Sequence, residues 1–196
     1  MSVACGTLRA MTTFRCFGTG DPAMEAYHDQ EWGRPQHNEL RLFEHLVLEG
    51  FQSGLSWSTV LHKRARFRAV FADFDPEPIS RFEDDDVARL LADPGIVRNR
   101  RKIEATIHNA RALVALHRAG GTLDEVTWRH RATAGRPRPV TWADVPTTSP
   151  ESVALAKELK KLGFRFVGPT TMYAHLQAVG VIDDHLAGCL VVPMVA

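Results

Sequence analysis

One carboxylate in this chain has an unusual setting. In LEGFQSGLSW, positions 48 to 57, Glu49 and Gln52 lie among Leu48, Phe51, Leu55 and Trp57, with Gly50 and Gly54 close by. Taking an unpartnered carboxylate out of water is costly. An acid on the flank of an apolar stretch therefore either reaches solvent at a helix edge or is met by a cation or by hydrogen-bond donors. With Tyr27 and Trp57, Glu49 could form a pocket offering one acceptor, one hydroxyl and one aromatic face. A flat heterocycle could stack there and donate an amino proton to the carboxylate. The plainer arrangement leaves Trp32 and Trp57 in the core and Glu49 on an exposed rim.

A second set of residues suits a metal. Cys16 and His28 stand near the start, His185 and Cys189 near the end, the last two spaced to share one face of a helical turn. Two thiolates and two imidazoles make a closed tetrahedral set for zinc with no position left for water, so a metal held this way is structural. The spacings are also met by buried thiols and surface histidines. A third set is basic. LLADPGIVRNRRKIEATIHNAR, from Leu90 to Arg111, reads as a short helix, a tight turn and a long helix. Pro94 fixes its own backbone and Gly95 is free to take positive φ. Arg98, Arg100, Arg101 and Lys102 gather where the long helix starts, against its dipole. Backbone N–H groups at that end lack intrahelical partners. A phosphate docked at the hairpin would answer both difficulties. An ordinary helical hairpin with solvated basic residues has the same pattern.

The elements that must position these residues read as helices. Apolar residues at 42, 43, 46, 47 and 50 mark one face of a helix from Glu39 to about Phe51, with Glu49 on the rim of the stripe. Further helices are expected from Trp57 to Phe71, from about Glu83 to Leu91, and along the face of Ile103, Ile107, Ala110 and Val114 to Gly120-Gly121. Residues 131 to 148, rich in proline and threonine, read as an irregular connection. Ser149-Pro150-Glu151 is an N-cap, first-turn proline and first-turn acid, opening a helix closed by Gly163. Pro169 starts another and Gly180 stops it. Alternating strand patterns are scarce, so the fold class is all-α.

At 196 residues and 44% hydrophobic, the chain suits one domain with a sizeable core, here taken as 14–196 after an extension at 1–13. Net charge is +1, so partners are indicated by distribution instead. The basic runs Lys63 to Arg68 and Arg98 to Lys102 oppose an acidic stretch from Asp73 to Asp86, which suggests one anion-facing surface. No apolar run approaches a membrane span, and the first residues lack the pattern of a secretory signal. Three cysteines, Cys5, Cys16 and Cys189, argue against a disulfide framework and for a reducing cytoplasm.

Several long blocks, AYHDQEWGRP, LFEHLVLEGFQSGLSW, GIVRNRRKI, KELKKLGFRFVGPT and DDHLAGC, together make the chain, from about Cys16 to Pro193, resemble the 3-methyladenine DNA glycosylase I family of constitutive bacterial type, within the helix–hairpin–helix glycosylase superfamily. The resemblance implies an all-α fold with a helix–hairpin–helix DNA clamp, here placed at about 84–118. It implies zinc held by Cys16, His28, His185 and Cys189, so that 16–28 and 185–189 clasp the two ends. Glu49 would contact the excised base, assisted by Tyr27, with Trp57 stacking on it. Gly54 and Leu55 would lie where the duplex is opened, and Gly95, Arg98, Arg100 and Lys102 along the DNA backbone. The implied activity is hydrolysis of the N-glycosidic bond of 3-methyladenine in double-stranded alkylated DNA, by a monomer, without strand cleavage.

The chain departs from the family pattern in places. Cys16-Phe17-Gly18 lacks the common tryptophan after the first cysteine, Met24 replaces a common aromatic, and the stretch from Cys16 to His28 is one residue short. Phe51 and Ser53 replace the usual glutamine and alanine. Phe17 and Met24 can still wall the pocket, with altered stacking and hydrogen bonding. Two other functions fit parts of the pattern. A zinc-stabilised module that recognises lesions without excising them shares every feature except a working pocket, and a zinc hydrolase of small molecules requires only three protein ligands.

Overall fold

The fold is organised by a helix that water does not reach over most of its length. The computed structural model describes residues 14–132 and 136–191; the expected extension at 1–13, with Cys5, lies outside them. After α1 (Pro22–Gln30), capped by the Asp21 carboxylate, comes α2 (Glu39–Gln52), in which every residue from Leu42 to Phe51 is buried. A helix buried all round belongs at the centre of a domain. Leu42, Phe43, Leu46, Val47, Leu48 and Phe51 are at most 3% exposed. The apolar stripe was legible in the sequence, but the rim assigned to Glu49 is in fact interior, because the other helices pack around α2.

The expected helix from Trp57 to Phe71 is two, α3 (Trp57–Leu61) and α4 (Arg64–Val70). At the break the Ser58 carbonyl accepts from both the backbone N–H and the ring of His62, and Lys63 reaches away to donate to the Pro94 carbonyl. The break lets α4 turn its side chains towards two acids, Arg64 pairing with Glu31 and Arg68 with buried Glu44. A short α5 (Pro76–Ser80) leads to α6 (Asp84–Ala92) and α7 (Arg100–Arg118). Next come α8 (Leu123–Trp128), α9 (Pro150–Lys161) and α10 (Pro169–Ala178). Ser149 caps α9 as its sequence indicates, and Gly180 at φ 76° ends the turn after α10. A Cβ there would lie 2.4 Å from the Arg34 backbone, so no other residue fits. The described residues contain no strand, only an isolated parallel bridge between Phe14 and Cys189 that joins the two ends of the described chain. None of their helices is long and apolar enough to cross a membrane.

Lys102, expected on the DNA-facing surface, is instead buried at the start of α7. Its Nζ donates to the carbonyls of Phe51 at 2.8 Å and Ser53 at 2.6 Å. It therefore satisfies carbonyls left open at the C-terminus of α2, where the helix dipole favours a cation, and it fixes the exit towards Gly54-Leu55. Burial holds its pKa below the usual lysine value. Lys102→Met should leave those carbonyls unpaired and lower stability by about 1–3 kcal/mol, read as a reduced urea midpoint at unchanged m-value.

Candidate active site

Glu49 sits in the last turn of α2, 5% exposed. Burial alone raises its pKa from 4.5 to about 8. The contrast with Glu44, on the same helix and 1% exposed, is instructive. Glu44 is held by Arg68 at 2.8 Å and by Arg41, whereas neither arginine nor lysine lowers the pKa of Glu49. An acid that the fold leaves without a cationic partner borders a cavity of about 260 Å³.

The cavity brings together all six residues expected at a base pocket, Glu49, Tyr27, Trp57, Phe17, Met24 and Gln52. The Tyr27 and Trp57 rings lie 5.0 Å apart at 41°, and Phe17 is 6.4 Å from Tyr27. Burial, then the neighbouring charge of Glu49, pushes the Tyr27 phenol well above its ordinary pKa, so its hydroxyl stays protonated. Four lining residues escaped the sequence reading: Trp32, Trp142, Ala174 and Gln177. Trp32 was seen only as a core candidate. Ala174 and Gln177 share a face of α10, but nothing local marks that face as facing Glu49. Trp142 lies in the connection expected to be irregular, where periodicity carries no information.

Near the cavity the ends of the described chain converge. Ligand atoms of Cys16, His28 and Cys189 lie within 4.8 Å of one another. The His28 and His185 rings are 5.0 Å apart, and His185 Nε2 is buried without a hydrogen-bond partner. His28 Nδ1 lies 2.7 Å from Asp29, and His185 Nδ1 2.9 Å from Asp183. Arg15 and Arg138 in turn hold these carboxylates. Each ring thus has its Nδ1 engaged by an acid, the outer-shell pattern of metal-binding histidines, while His28 Nε2 accepts from the Cys16 N–H at 3.3 Å and lies 3.4 Å from Cys189 Sγ. Gly33 makes room for this, since a Cβ there would come 2.6 Å from the His185 ring. Cys16, His28 and Cys189 together suit a thiophilic ion, and His185 lies beside but outside that group of three.

The basic elements divide. Arg98 and Arg100 are exposed at the α6–α7 turn, with Arg100 3.3 Å from Glu104. Gly95 does not adopt the positive φ its sequence suggested. It is small because a Cβ would come 2.5 Å from Arg66 Cγ, where Arg66 pairs with Asp93. Asn99 caps α7 by accepting from the Lys102 N–H, so this helix start is less open to an anion than expected. The α9–α10 turn is more open. Gly168 gives α10 no side-chain cap, and Arg165 and Phe166 are exposed beside it. Asn109 clamps Arg165 through both its N–H at 2.7 Å and its carbonyl at 3.0 Å, and Phe166 takes φ 57°, a conformation unusual for an aromatic residue. On the other side of α2, Gly54 at φ 82° presents Leu55, 42% exposed.

A family model described as methyladenine glycosylase matches residues 17–192. The chain belongs to the methyladenine glycosylase family. It is 44% identical over 176 residues to DNA-3-methyladenine glycosylase 1 of Escherichia coli strain K12, covering 88% of this chain and 93% of that protein. A crystal structure of 3-methyladenine DNA glycosylase I superposes with a TM-score of 0.87 at 45% identity, covering 90% of this chain and 98% of the other. A tyrosine-to-phenylalanine variant of a 3-methyladenine DNA glycosylase I, in complex with 3-methyladenine, superposes with a TM-score of 0.84 at 34% identity, covering 90% and 95%.

The unpartnered acid has a signature in stability. With its folded pKa raised, the protein must release the Glu49 proton more reluctantly than the unfolded chain, so stability falls as pH rises from about 4.5 to about 8. Glu49→Gln removes this dependence. The variant should match the wild type near pH 4 and exceed it near pH 9 by an amount on the order of a few kcal/mol, visible as a higher Tm in scans across pH.

Proposed function

We propose that the protein is a monofunctional DNA glycosylase that removes 3-methyladenine from alkylated double-stranded DNA in base excision repair, acting as a monomer in a bacterial cytoplasm. The observation that carries this reading is the desolvated carboxyl of Glu49 in the wall of a purine-sized aromatic cavity. Methylation at N3 leaves the adenine of the nucleotide positively charged, so the base departs without prior protonation. Water adds to the sugar C1′, the C1′–N9 bond breaks with its electron pair passing to the base, and neutral 3-methyladenine leaves an abasic site as the water loses a proton to solvent. What the protein must supply is extrusion, selection and charge complementarity.

Glu49 fits that requirement. Ionised beside a cationic purine, in a site of low dielectric, it attracts strongly. Beside a neutral purine the same ionisation is unfavourable and the acid stays protonated. Tyr27 and Trp57 provide the stacking face and Gln52 an amide for the base edge, while Phe17 and Met24 complete the walls. Leu55, presented by Gly54, would occupy space vacated in the duplex. Arg98 and Arg100 at one hairpin and Arg165 with the uncapped start of α10 at the other would hold phosphates. Gly95 serves the first hairpin by admitting Arg66. Zinc held by Cys16, His28, His185 and Cys189 would supply a structural cross-link and no water activation.

Release of free 3-methyladenine from methylated DNA tests the reading. Wild type should release it, and Glu49→Gln should release it at least tenfold more slowly with unchanged helix content. Binding of methylated DNA without release would leave a lesion-recognition module. Purified protein should carry close to one zinc per chain by elemental analysis. Arg98→Ala, Arg100→Ala and Arg165→Ala combined should reduce the slope of log K against log salt by about two to three; an unchanged slope would remove both hairpins from the DNA contact.

A further inference from the structure

Trp142 has the features of a group built to meet a ligand. It opens the 3₁₀ turn Trp142–Asp144 in the connection between α8 and α9 and lines the same cavity as Glu49, while 44% of its surface stays exposed. Its position is fixed on every other side. The indole N–H donates to the Cys16 carbonyl at 3.3 Å, and its ring lies 6.2 Å from Phe17 and 6.3 Å from Trp32. Thr141 binds Asp144 through its N–H at 2.8 Å and its hydroxyl at 2.9 Å, setting the turn. Just upstream, Pro139 accepts from the Ala187 N–H at 2.8 Å. An aromatic ring anchored at its polar edge and packed beside two other rings has already lost part of the freedom that binding would otherwise cost.

We propose that Trp142 is a specificity-determining residue, whose indole is a second aromatic surface of the pocket against which a positively charged methylated purine packs. The proposal rests on the excision activity argued above. The Tyr27–Trp57 pair offers stacking to any purine. A further indole, with its electron-rich face, attracts a cationic ring more strongly than the stacking contact it gives a neutral one. Trp142 thereby reinforces the charge selection made by Glu49 from a separate part of the chain.

The test compares Trp142→Ala and Trp142→Phe with wild type in single-turnover release from methylated DNA, calorimetric binding of free 3-methyladenine, and thermal melting. The alanine variant should excise about tenfold more slowly, within the range of a desolvated cation–π contact, and bind the free base a few-fold more weakly, at an unchanged Tm. The phenylalanine variant should recover most of both. Wild-type excision and affinity in Trp142→Ala would overturn the proposal. So would equal losses in both variants with a lowered Tm, which would make the indole a prop for the Cys16 carbonyl. If wild type released no base at all, the excision reading itself would fail, and the calorimetric comparison would still decide whether Trp142 binds the purine.

Discussion

A carboxyl group held out of water without a cation beside it is an unstable arrangement, and much of this molecule serves to maintain it. Glu49 stays buried because α2 is enclosed on all sides, while the arginines around this helix pair with other acids. Arg41 and Arg68 go to Glu44, and Arg64 goes to Glu31. The contrast between two buried glutamates on one helix is thus a division of labour. Glu44 secures packing, and Glu49 retains unsatisfied affinity.

The rest of the site follows from keeping that acid in register. Lys102 pins the carbonyls of Phe51 and Ser53, so the backbone beyond Glu49 leaves the helix in one direction and Leu55 is presented at one place. The convergence of Cys16, His28 and Cys189 does the same on the opposite side. It fixes Phe17, next to Cys16, and through the Cys16 carbonyl it fixes Trp142. Two remote clamps therefore define a cavity whose walls come from α1, α2, α3, α10 and an irregular connection.

What the sequence disclosed and what it hid differ for physical reasons. Helix faces, caps and stops repeat locally, so α2, α7, α9 and α10 could be read, as could four cavity residues in matched blocks, Tyr27, Glu49, Gln52 and Trp57, with Phe17 and Met24 placed only as departures from the family pattern. The burial of Glu49 could not, since the spacing within α2 puts it on a rim and only packing by other helices closes that rim. Lys102 misled because a cation at a helix start looks the same whether it faces phosphate or a neighbouring helix end. Gly95 misled because glycine is needed for close approach as often as for positive φ, and Arg66 provides the approach. Trp142 was invisible, for its role depends on a contact with Cys16 across most of the chain.

The meeting of Phe14 and Cys189 has an implication for biosynthesis. On a ribosome, α2 and the acid it carries can form early, but the wall bearing Phe17 and the indole at 142 stays unset until residues near 189 have left the exit tunnel. Until the segment around Cys189 emerges, a nascent chain would hold the cleft without that clasp. The cleft would thus be complete only once the segment bearing Cys189 has emerged to meet Phe14.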